Sequence, residues 1–416
     1  MKLKYGKEKF KLNEDRLNDS KVLLPNEQAG LDKPKKEVAQ ALKDPIASGS
    51  VADLVDKKNP DTVVIVVNDV SRTTPYGDML PPLLDKLHQA GIKKEEITFV
   101  IATGIHRPNT KAENESVFGK ELVEDYNFVS HNPDQDLVDL GKLSSDNQLL
   151  LNRRVVEADL LITTGVIAPH YFAGFSGGRK SILPGVAGRD TIQRNHAAMV
   201  NLLGDLPDIK ENPVSLEMLE AANKVGVDFT LNVVINSQKE IVEVVAGDLE
   251  QAWYQGVETS SEMYHVELEE KADVAIVSAG GYPKDLNIYQ AQKALDNANY
   301  GVKEGGSIVL LARCEDGLGE ETFERWLEDA DKPEDNVEKI KQGFVIGGHK
   351  AFAISKVTLD KDFILISDFE QKMTEMLYAT KADDLDDALD ILEEKHGPNY
   401  KSIIMPQGAL TLPIVK

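Results

Sequence analysis

TVVIVV at residues 62–67 is an almost purely apolar run, and the polar stretch NDVSRTTP (68–75) follows it directly. A β-branched run without polar alternation predicts a strand buried on both faces. Five similar runs occur along the chain: EITFVIATG (96–104), ADLLITTG (158–165), ADVAIVSAG (272–280), GSIVLLA (306–312) and FILIS (363–367). Amphipathic helical patterns follow several of them, at 77–90, 190–203, 286–299 and 383–395. This alternation predicts an α/β fold with largely parallel sheets.

The length of 416 residues predicts more than one domain. Within 228–246, DFTLNVVIN and EIVEVVAG flank SQK, which predicts an antiparallel hairpin, and a helical pattern follows at 249–264. The strand-helix alternation restarts at Ala272. We therefore expect two α/β domains with an active-site cleft between them. The first covers 1–266, the second is Rossmann-like and covers 272–405, and the tail 406–416 is expected to return to the first domain.

Composition narrows the class of protein. The net charge of -23 repels nucleic acid and anionic membranes, so neither is an expected partner. Cys314 is the one cysteine, which excludes a disulfide within the chain and a cysteine-based metal cluster. The start MKLKYGKEKF lacks the apolar core of a signal peptide, and no apolar run approaches the length of about 20 residues that spans a bilayer. A cytoplasmic protein is expected.

Ligands of open α/β sheets bind beyond the carboxyl ends of the strands, so the loops there are the first candidates for a site. After the first strand, Asp69, Ser71 and Arg72 precede a helix, and the guanidinium of Arg72 suits a carboxylate or phosphate. The plain alternative is a helix cap with a salt bridge. After the second strand, ATGIHRP (102–108) places His106 where acid-base work is possible, although a lone loop histidine is often structural.

The block TTGVIAPHYFAGFSGGRKSILPG (163–185) has the most candidate chemistry, with His170 and Lys180 among glycines. GFSGGRKS resembles a phosphate-binding P-loop, but Arg179 stands where that motif needs glycine, and the preceding strand ends about ten residues too early. A nucleotide hydrolase is therefore a weak interpretation. A glycine-rich loop can still approach a phosphate, and a desolvated lysine can act as a nucleophile. The alternative is a glycine-rich turn with an ordinary surface lysine.

Two helices supply the remaining candidates. RDTIQRNHAAMV (189–200) predicts a helix capped by Asp190 and Thr191, with His196 on its second turn. No HxxxH, HExxH or CxxC spacing occurs, so a metal at His196 would need ligands from a cofactor. In GGYPKDLNIYQAQKAL (280–295), Gln290 and Lys293 share a helical face. In isolation, a helical histidine such as His196 is usually a packing or surface residue, and a polar helix face is the more common explanation for Gln290 and Lys293.

Taken in order, these blocks resemble the lactate racemase family of nickel-pincer enzymes, and PHYFAGFSGGRKSILPG is the specific part. The resemblance runs from about Asp69 to Lys293. It implies that the first domain binds a cofactor, a nickel-pincer nucleotide (nickel pyridinium-3-thioamide-5-thiocarboxylic acid mononucleotide). It also implies roles for the candidate residues: Lys180 as the covalent attachment, His196 as a nickel ligand, His106 and His170 as paired acid-base catalysts, Asp69 and Ser71 near the cofactor, and Arg72, Gln290 and Lys293 in substrate binding.

The implied reaction is racemisation of D- and L-lactate. Because a proton is hard to remove from the carbon beside a carboxylate, loss of hydride to an electrophilic carbon is the easier route and leaves a 2-oxoacid. Return of hydride to the other face requires a reoriented ketoacid, which explains two histidines. Proteins that make the cofactor are implied partners. Two alternatives stay open: a racemase or epimerase of another 2-hydroxyacid, such as malate, an aromatic hydroxyacid or a sugar acid, and a non-catalytic nucleotide- or anion-binding protein.

Overall fold

The computed structural model describes residues 1–202 and 208–415. Three short strands open the chain: β1 (Lys2–Tyr5), β2 (Glu8–Lys11) and β3 (Asp19–Val22). The next part alternates helices and strands: α1 (Pro34–Lys43), α2 (Val51–Lys58), β4 (Val63–Asn68), α3 (Tyr76–Gln89), β5 (Ile97–Ala102), α4 (Lys111–Phe118), α5 (Lys120–Asp125), β6 (Asn127–Ser130), β7 (Leu137–Lys142), β8 (Gln148–Asn152), α6 (Arg153–Val156) and β9 (Leu160–Ile167).

The rest of the chain continues the alternation. Its elements are β10 (Pro169–His170), β11 (Gly174–Phe175), α7 (Arg189–Ala197), α8 (Pro213–Val225), β12 (Phe229–Ile235), β13 (Ile241–Gly247), α9 (Leu249–Tyr264), β14 (His265–Leu268), β15 (Ala272–Ser278), α10 (Ile288–Asn299), β16 (Val302–Leu311), α11 (Glu321–Glu328), α12 (Pro333–Gln342), α13 (Gly348–Thr358), β17 (Asp362–Ile366), α14 (Gln371–Met376), β18 (Ala379–Lys381), α15 (Leu385–His396), β19 (Lys401–Met405) and β20 (Leu412–Val415). Short 3-10 turns include Gly178–Ser181 and Ala198–Leu202.

The described chain divides into two compact units. The first unit, as named here, is built from the middle of the sequence and contains residues 27–198 and 208–261. Its six-stranded sheet has the order β13-β12-β9-β4-β5-β6, and all neighbours are parallel except the predicted hairpin β12/β13, which is antiparallel. The strands β4, β5 and β9 are buried on both faces, as continuous apolar runs require. Helices such as α3 cover one face with an apolar cluster that includes Leu80, Leu83 and Leu87.

The second unit contains residues 1–26, 199–202 and 262–415. Its six-stranded sheet is parallel throughout, with the order β18-β17-β16-β15-β19-β3. A separate apolar cluster, which includes Val309, Ile364 and Leu389, packs on this sheet. The predicted α/β fold with parallel sheets is therefore confirmed. The predicted cleft between the two domains stays a prediction.

The division differs from the predicted boundaries at both ends of the chain. The first 26 residues belong with the second unit, because β3 adds to the edge of its sheet by pairing with β19. The tail pairs as β20 with β14 and lies in that same unit, rather than with the rest of the first predicted domain. In the described residues, no helix combines the length and the apolar character that a membrane crossing demands.

Candidate active site

Three loops of the first unit start at neighbouring positions of its sheet. The strands β9, β4 and β5 are adjacent and parallel, so their carboxyl ends lie side by side. The loop with Asp69 and Arg72 follows β4, the loop with His106 follows β5, and the loop with His170 and Lys180 follows β9. The sheet order thus brings together the three segments that the sequence marks as candidates, at the edge where ligands of such sheets bind.

The loop after β4 holds a buried carboxylate against a histidine. Asp69 Oδ2 lies 2.8 Å from His106 Nδ1, and Ser71 Oγ donates to Asp69 Oδ1 at 2.6 Å. Asp69 is 4% exposed. Burial raises the pKa of Asp69, but the hydrogen bonds from His106 and Ser71, with the charges of His106 and Arg72, outweigh that effect and the pKa is lowered. The carboxylate is therefore ionised at neutral pH, and it fixes the orientation of an imidazole that is half exposed.

The plain alternative for this loop, a helix cap, does not describe Asp69. The residue at the start of α3 is Pro75, and no side chain caps that helix. The loop closes by backbone hydrogen bonds instead, with the amide of Arg72 donating to the Asp69 carbonyl at 3.1 Å. Tyr76 anchors the base of the loop, where its buried hydroxyl lies 3.3 Å from the hydroxyl of Thr164 on β9. Arg72 itself is exposed at the rim of the loop.

The loop after β9 is tightly packed around three glycines with positive φ: Gly174 (+72°), Gly177 (+74°) and Gly178 (+50°). At Gly178 a Cβ atom would lie 2.8 Å from Cδ1 of Trp253, so the space as well as the backbone favours glycine. The loop then folds back over the sheet, where Ser181 Oγ donates to the carbonyl of Thr164 at 3.0 Å. This return places the 3-10 turn Gly178–Ser181, and with it Lys180, over β9.

Lys180 is a partly buried amine whose protonated form is disfavoured. Its pKa lies well below the ordinary lysine value, chiefly because burial removes water from the charged form, and further because Arg72 and Arg179 are positive neighbours. Nζ of Lys180 lies 5.3 Å from the ring centre of Phe172. A surface lysine, the plain alternative for this block, does not fit this environment.

Phe172 connects three of the candidate residues. Its ring centre lies 4.6 Å from that of His170 and 4.8 Å from that of His196, with both rings turned edge to face, and Lys180 approaches the same ring. Phe172 is 6% exposed. His170, Lys180 and His196 therefore surround one buried aromatic ring, and the influence of Arg72 on Lys180 links them to the loop with Asp69 and His106.

His196 lies near the end of α7 and has an ordered hydrogen-bond partner. Its Nδ1 lies 3.1 Å from Oδ1 of Asn195, and Nδ2 of Asn195 donates to Glu217 and to the carbonyl of Val214. Because the amide nitrogen of Asn195 is engaged by these acceptors, its oxygen faces the imidazole, which assigns the proton of His196 to Nδ1. The lone pair is then on Nε2, the form in which histidine binds a metal.

The start of α7 differs from its prediction. Asp190 and Thr191 lie inside the helix, whose first flanking residue is Gly188, and no side chain caps it. Thr191 Oγ1 is used elsewhere, because it donates to the carbonyl of Gln148 at 2.6 Å and accepts from the amide of Leu150. The capping prediction is therefore wrong, and the hydroxyl fastens α7 to β8. The predicted last residue of this helix, 203, lies outside the described residues.

Gln290 and Lys293 lie on α10 in the second unit, so they are described only in that setting. Asn287 caps α10 by accepting from the amide of Gln290 at 3.0 Å, and the Gln290 side chain is exposed on the first turn. Lys293, one turn on, is half buried and near Asp296. Burial raises the pKa of Asp296, and the positive charges of Lys356, Lys350 and Lys293 oppose this shift. The structure does not bring these two residues into the same unit as the others.

Two contributors to the site escaped the sequence analysis. Phe172 was part of the quoted block but had no predicted role, since an aromatic residue near a histidine is most often packing. Arg179 entered only as a departure from the P-loop motif, although it is 1% exposed and stacks on Trp253. The sequence held an unusual feature in both cases. For Phe172 it is a pair of aromatic residues between His170 and a glycine, and for Arg179 it is an arginine within a glycine-rich turn.

Within the described residues, no group of three or more histidine, cysteine, aspartate or glutamate side chains has the arrangement of a metal site. The first unit instead presents a different donor set. It consists of one imidazole of defined tautomer, one amine with a lowered pKa, a carboxylate-histidine pair and an exposed guanidinium. Such a set can hold an organic group and move protons at it, since these side chains donate, accept and form covalent bonds.

Comparisons with known proteins give the family. The model of the lactate racemase N-terminal domain matches residues 5–203, and that of the lactate racemase C-terminal domain matches 268–412. A lactate racemase from Thermoanaerobacterium thermosaccharolyticum is 37% identical over 381 residues, which cover 89% of this chain and 88% of that protein. A lactate racemase from Lactiplantibacillus plantarum is 32% identical over 385 residues, covering 90% and 89%.

A solved structure agrees with these matches over the whole chain. The lactate racemase apoprotein from Thermoanaerobacterium thermosaccharolyticum superposes with a TM-score of 0.89 at 34% identity, covering 100% of this chain and 99% of that one. Both sequence and fold are therefore shared along nearly the full length. The chain belongs to the lactate racemase family and is an isomerase.

Proposed function

We propose that the chain interconverts D- and L-lactate with a nickel-pincer nucleotide held by Lys180 and His196. The observation that carries this proposal is the grouping of His170, Lys180 and His196 around the ring of Phe172, linked through Arg72 to the pair formed by Asp69 and His106. The names of the relatives supply the substrate. The grouping supplies residues for cofactor attachment, for metal coordination and for proton transfer.

The residues present fit the nucleotide. Attachment through a thioamide requires a neutral amine, and Lys180 has the lowered pKa of such a group. A nickel ion held mainly by the organic group needs one more donor, and Nε2 of His196 carries the lone pair for that. Lys180 would thus tether the group and His196 would complete the metal coordination. When bound, the nucleotide supplies an electrophilic pyridinium carbon that accepts a hydride and returns it.

The two acid-base histidines differ in their hydrogen bonding. Nδ1 of His106 faces the ionised Asp69 and carries the proton, so Nε2 is the basic nitrogen. In His170, Nδ1 accepts from the backbone amide of Ala173 at 3.4 Å, which assigns a proton to Nε2. We propose that His106 takes the hydroxyl proton of one lactate enantiomer through Nε2. His170 gives up its contact with the Ala173 amide when a second proton binds at Nδ1, and the resulting imidazolium releases the proton of Nε2 to the opposite product; the roles exchange in reverse.

The carboxylate of the substrate needs positive charge, because the chain as a whole repels anions. Arg72 is exposed beside Asp69 and offers a planar pair of donors, which suits bidentate binding of a carboxylate. Lys293 and Gln290 are proposed to contribute a further charge and a hydrogen bond from the second domain. Orientation by these groups, together with proton transfer, accounts for roughly two to four orders of magnitude each.

The test is intact mass with metal analysis on protein made in a host that produces the nucleotide, followed by a chiral assay with lactate. We expect added mass that survives denaturation, about one nickel per chain, and interconversion of the enantiomers. Protein from a host without the biosynthetic proteins serves as the control for loading, and the Lys180→Ala variant from the producing host serves as the control for attachment. Full nickel and normal activity in that variant would refute the tether.

A panel of other 2-hydroxyacids in the same assay tests the substrate. Turnover of malate, an aromatic hydroxyacid or a sugar acid without turnover of lactate would replace the proposed substrate and keep the cofactor. His106→Ala and His170→Ala, each with full nickel, should lose racemisation. Activity unchanged in both variants would remove the two histidines from the acid-base roles. Nucleotide binding without nickel and without racemisation in the wild type would favour a non-catalytic binding protein.

A further inference from the structure

His131 is a buried histidine at the same edge of the sheet as the candidate site, and the proposed reaction does not use it. It directly follows β6, which pairs in parallel with β5, so its loop lies beside the loop that carries His106. The side chain is 1% exposed. Burial lowers the pKa of His131 to about 4, so the ring is neutral near pH 7 and carries one proton. A neutral buried imidazole needs one acceptor and one donor, and the structure contains both.

The partners of the His131 ring assign that proton to Nε2. Nε2 lies 2.8 Å from the carbonyl oxygen of Ala187, and Nδ1 lies 3.2 Å from Nδ2 of Asn152. Because Oδ1 of Asn152 accepts from the amide of Arg154 at 3.0 Å, the amide nitrogen of Asn152 is the atom that faces the ring. Nδ1 therefore accepts from Asn152, and Nε2 donates to Ala187. The ring thus joins the end of β6 to the backbone at Ala187.

Ala187 lies near the middle of residues 181–195, the connecting segment between the proposed tether Lys180 and the proposed metal ligand His196. It is completely buried, so water does not readily replace a donor that its carbonyl loses. The next residue is held from another side, since the amide of Gly188 donates to the carbonyl of Leu150 at 2.8 Å. The bond from His131 therefore helps to fix the connecting segment, and with it the spacing between tether and metal ligand.

The backbone of His131 is joined to the loop of the proposed base. Oγ1 of Thr103 donates to the carbonyl of His131 at 2.9 Å, and the carbonyl of Thr103 accepts from the amide of His106 at 2.9 Å. The same loop also reaches the connecting segment directly, because the amide of Gly104 donates to the carbonyl of Gly185 at 2.9 Å. The loop and the segment are thus held to each other both directly and through His131.

We propose that His131 is a positioning residue: it fixes the connecting segment relative to the loop of His106, and so sets the spacing between the proposed tether, metal ligand and base. The inference rests on the proposed function, which gives those three residues their tasks. Proton transfer at His106 depends on its distance from a substrate that lies against the group held by the connecting segment. A displacement of about 1 Å in such a site can cost about 10²-fold in rate.

The first measurement uses the protein without the nucleotide. Amide hydrogen exchange with mass spectrometry follows peptides from the connecting segment and from the loop of His106. An asparagine amide reaches only as far as Nδ1 of the ring, so His131→Asn loses the bond to Ala187, and both peptides should exchange about tenfold faster. A glutamine amide reaches as far as Nε2 and keeps a donor for the Ala187 carbonyl, so His131→Gln should stay near the wild type.

His88 provides a matched control in the same unit. Its Nδ1 lies 2.7 Å from the carbonyl oxygen of Ile92, and its Nε2 lies 2.7 Å from the hydroxyl of Tyr126. Because α3 runs from the carboxyl end of β4 towards the amino end of β5, His88 near its end lies at the opposite edge of the sheet. His88→Leu removes both bonds and should destabilise the unit, but neither peptide should exchange faster.

The second measurement uses the loaded enzyme and separates position from stability. His131→Asn should keep the covalent nucleotide, since attachment needs Lys180 alone. It should lose nickel to a chelator about tenfold faster, and kcat should fall by about 10–10²-fold with little change in KM, because the loop of Arg72 makes no use of His131. Thr103→Val removes the hydroxyl bond to the His131 carbonyl, so kcat should fall while nickel stays. This variant also tests the link if His131→Asn does not fold.

Nickel retention and kcat at the wild-type level in a folded His131→Asn protein would overturn the proposal. Equal losses in His131→Asn and His131→Gln would overturn it too, as would equal losses in His88→Leu, because general destabilisation would then explain them. Failure of the loaded wild type to racemise lactate would refute the proposed function, whereas the exchange measurement needs neither nucleotide nor substrate. Unchanged exchange in folded His131→Asn would refute the role of His131 and leave the racemase untouched. The two proposals therefore fail in different experiments.

Discussion

The carboxylate of Asp69 and the imidazole of His106 come from loops after two adjacent parallel strands and meet at 2.8 Å. The carboxylate is buried and its pKa is lowered, whereas the imidazole is half exposed. A buried anion that holds the inner nitrogen of a histidine directs the outer nitrogen to solvent or to a ligand. This arrangement serves a base better than it serves a structural histidine, because the reactive nitrogen stays accessible.

Replacing that anion should impair catalysis with little effect on the fold. In Asp69→Asn the amide no longer imposes the proton on Nδ1 of His106, so kcat should fall by roughly 10²–10⁴-fold while nickel content stays the same. The measurement is chiral turnover of lactate by the loaded enzyme. Ser71→Ala keeps the carboxylate and removes one hydrogen bond to it, so a loss below about tenfold is expected. Equal activity in Asp69→Asn and wild type would contradict the assigned base.

The same carboxylate predicts a dependence of stability on acid. The pKa of Asp69 is lower in the folded chain than its ordinary value of 3.8, so the carboxylate stabilises the fold above that pH. This contribution disappears as the pH falls from about 3.8 through the folded value. The free energies of unfolding of wild type and Asp69→Asn should therefore differ most at neutral pH and converge as the pH falls below 3.8 through the folded value.

Urea unfolding measures this difference if the signal comes from the first unit. Trp253 lies in that unit and the second tryptophan, Trp326, lies in the other, so both proteins are best studied with Trp326→Phe in the background. A difference that stays constant from pH 7 down to the lowest pH at which both proteins still fold would show that ionisation of Asp69 does not stabilise the fold.

The strands that could be predicted from the sequence are the buried ones, because their residues form continuous apolar runs. Continuous apolar runs revealed β4, β5, β9, β15, β16 and β17 within a few residues, and their order along the chain placed the candidate loops at strand ends. β3 was missed because all four of its residues, DSKV, are exposed and its backbone, not an apolar side-chain face, pairs it with β19. Backbone pairing of an exposed edge strand leaves no apolar pattern in the sequence. For this reason the first 26 residues were predicted to belong to the first domain, whereas they lie in the second unit.

For the site, the sequence identified the loops that carry the candidate residues, but it did not show which side chains contact each other. Asp69, His106, His170, Lys180 and His196 could be found because each occupies a loop or helix that follows a strand. That Phe172 would contact three of them depends on the fold of the glycine-rich loop, which is set by packing against Trp253 on α9, about 75 residues away in sequence. A contact between distant segments has no local signature, so no motif could predict it.

Phe172 should therefore matter more to the site than a core residue of its size. Phe172→Ala creates a cavity beside two imidazoles and should cost about 3–5 kcal/mol of stability in the first unit. Phe172→Leu fills most of that space but lacks the ring, so stability should fall by less and activity should still drop, because the edge-to-face contacts with His170 and His196 are worth about 0.5–1.5 kcal/mol each. Unfolding monitored at Trp253 and chiral turnover measure the two effects. A Leu variant with full activity would reduce Phe172 to packing.

Asn195 should control the proposed metal ligand without touching the metal. Its amide orients His196, so Asn195→Ala should weaken nickel binding by about 10–100-fold, the usual effect of losing a residue that orients a ligand. Nickel retained after dialysis against a chelator is the measurement, and covalent nucleotide at Lys180 should persist in the same sample. Glu217→Gln is the matched variant, since it keeps an acceptor for the Asn195 amide and should retain more nickel. Loss of nickel and nucleotide together would instead indicate collapse of the loop.

The glycine-rich loop offers a comparison between steric clash and backbone strain. Gly178 and Gly226 both have positive φ, at +50° and +79°, but only Gly178 would place a Cβ against a neighbour, at 2.8 Å from Trp253. Gly226→Ala at the end of α8 meets nothing within 4 Å, so it should cost about 1–2 kcal/mol from backbone conformation alone. Gly178→Ala should cost about 1–3 kcal/mol more, because the added methyl overpacks the loop against a fixed indole. It should also displace Lys180 and reduce covalent nucleotide, which intact mass would show, whereas Gly226→Ala should load fully. Equal costs in the two variants would mean that the loop moves freely away from Trp253, and the tight packing assigned to the turn at Lys180 would then be wrong.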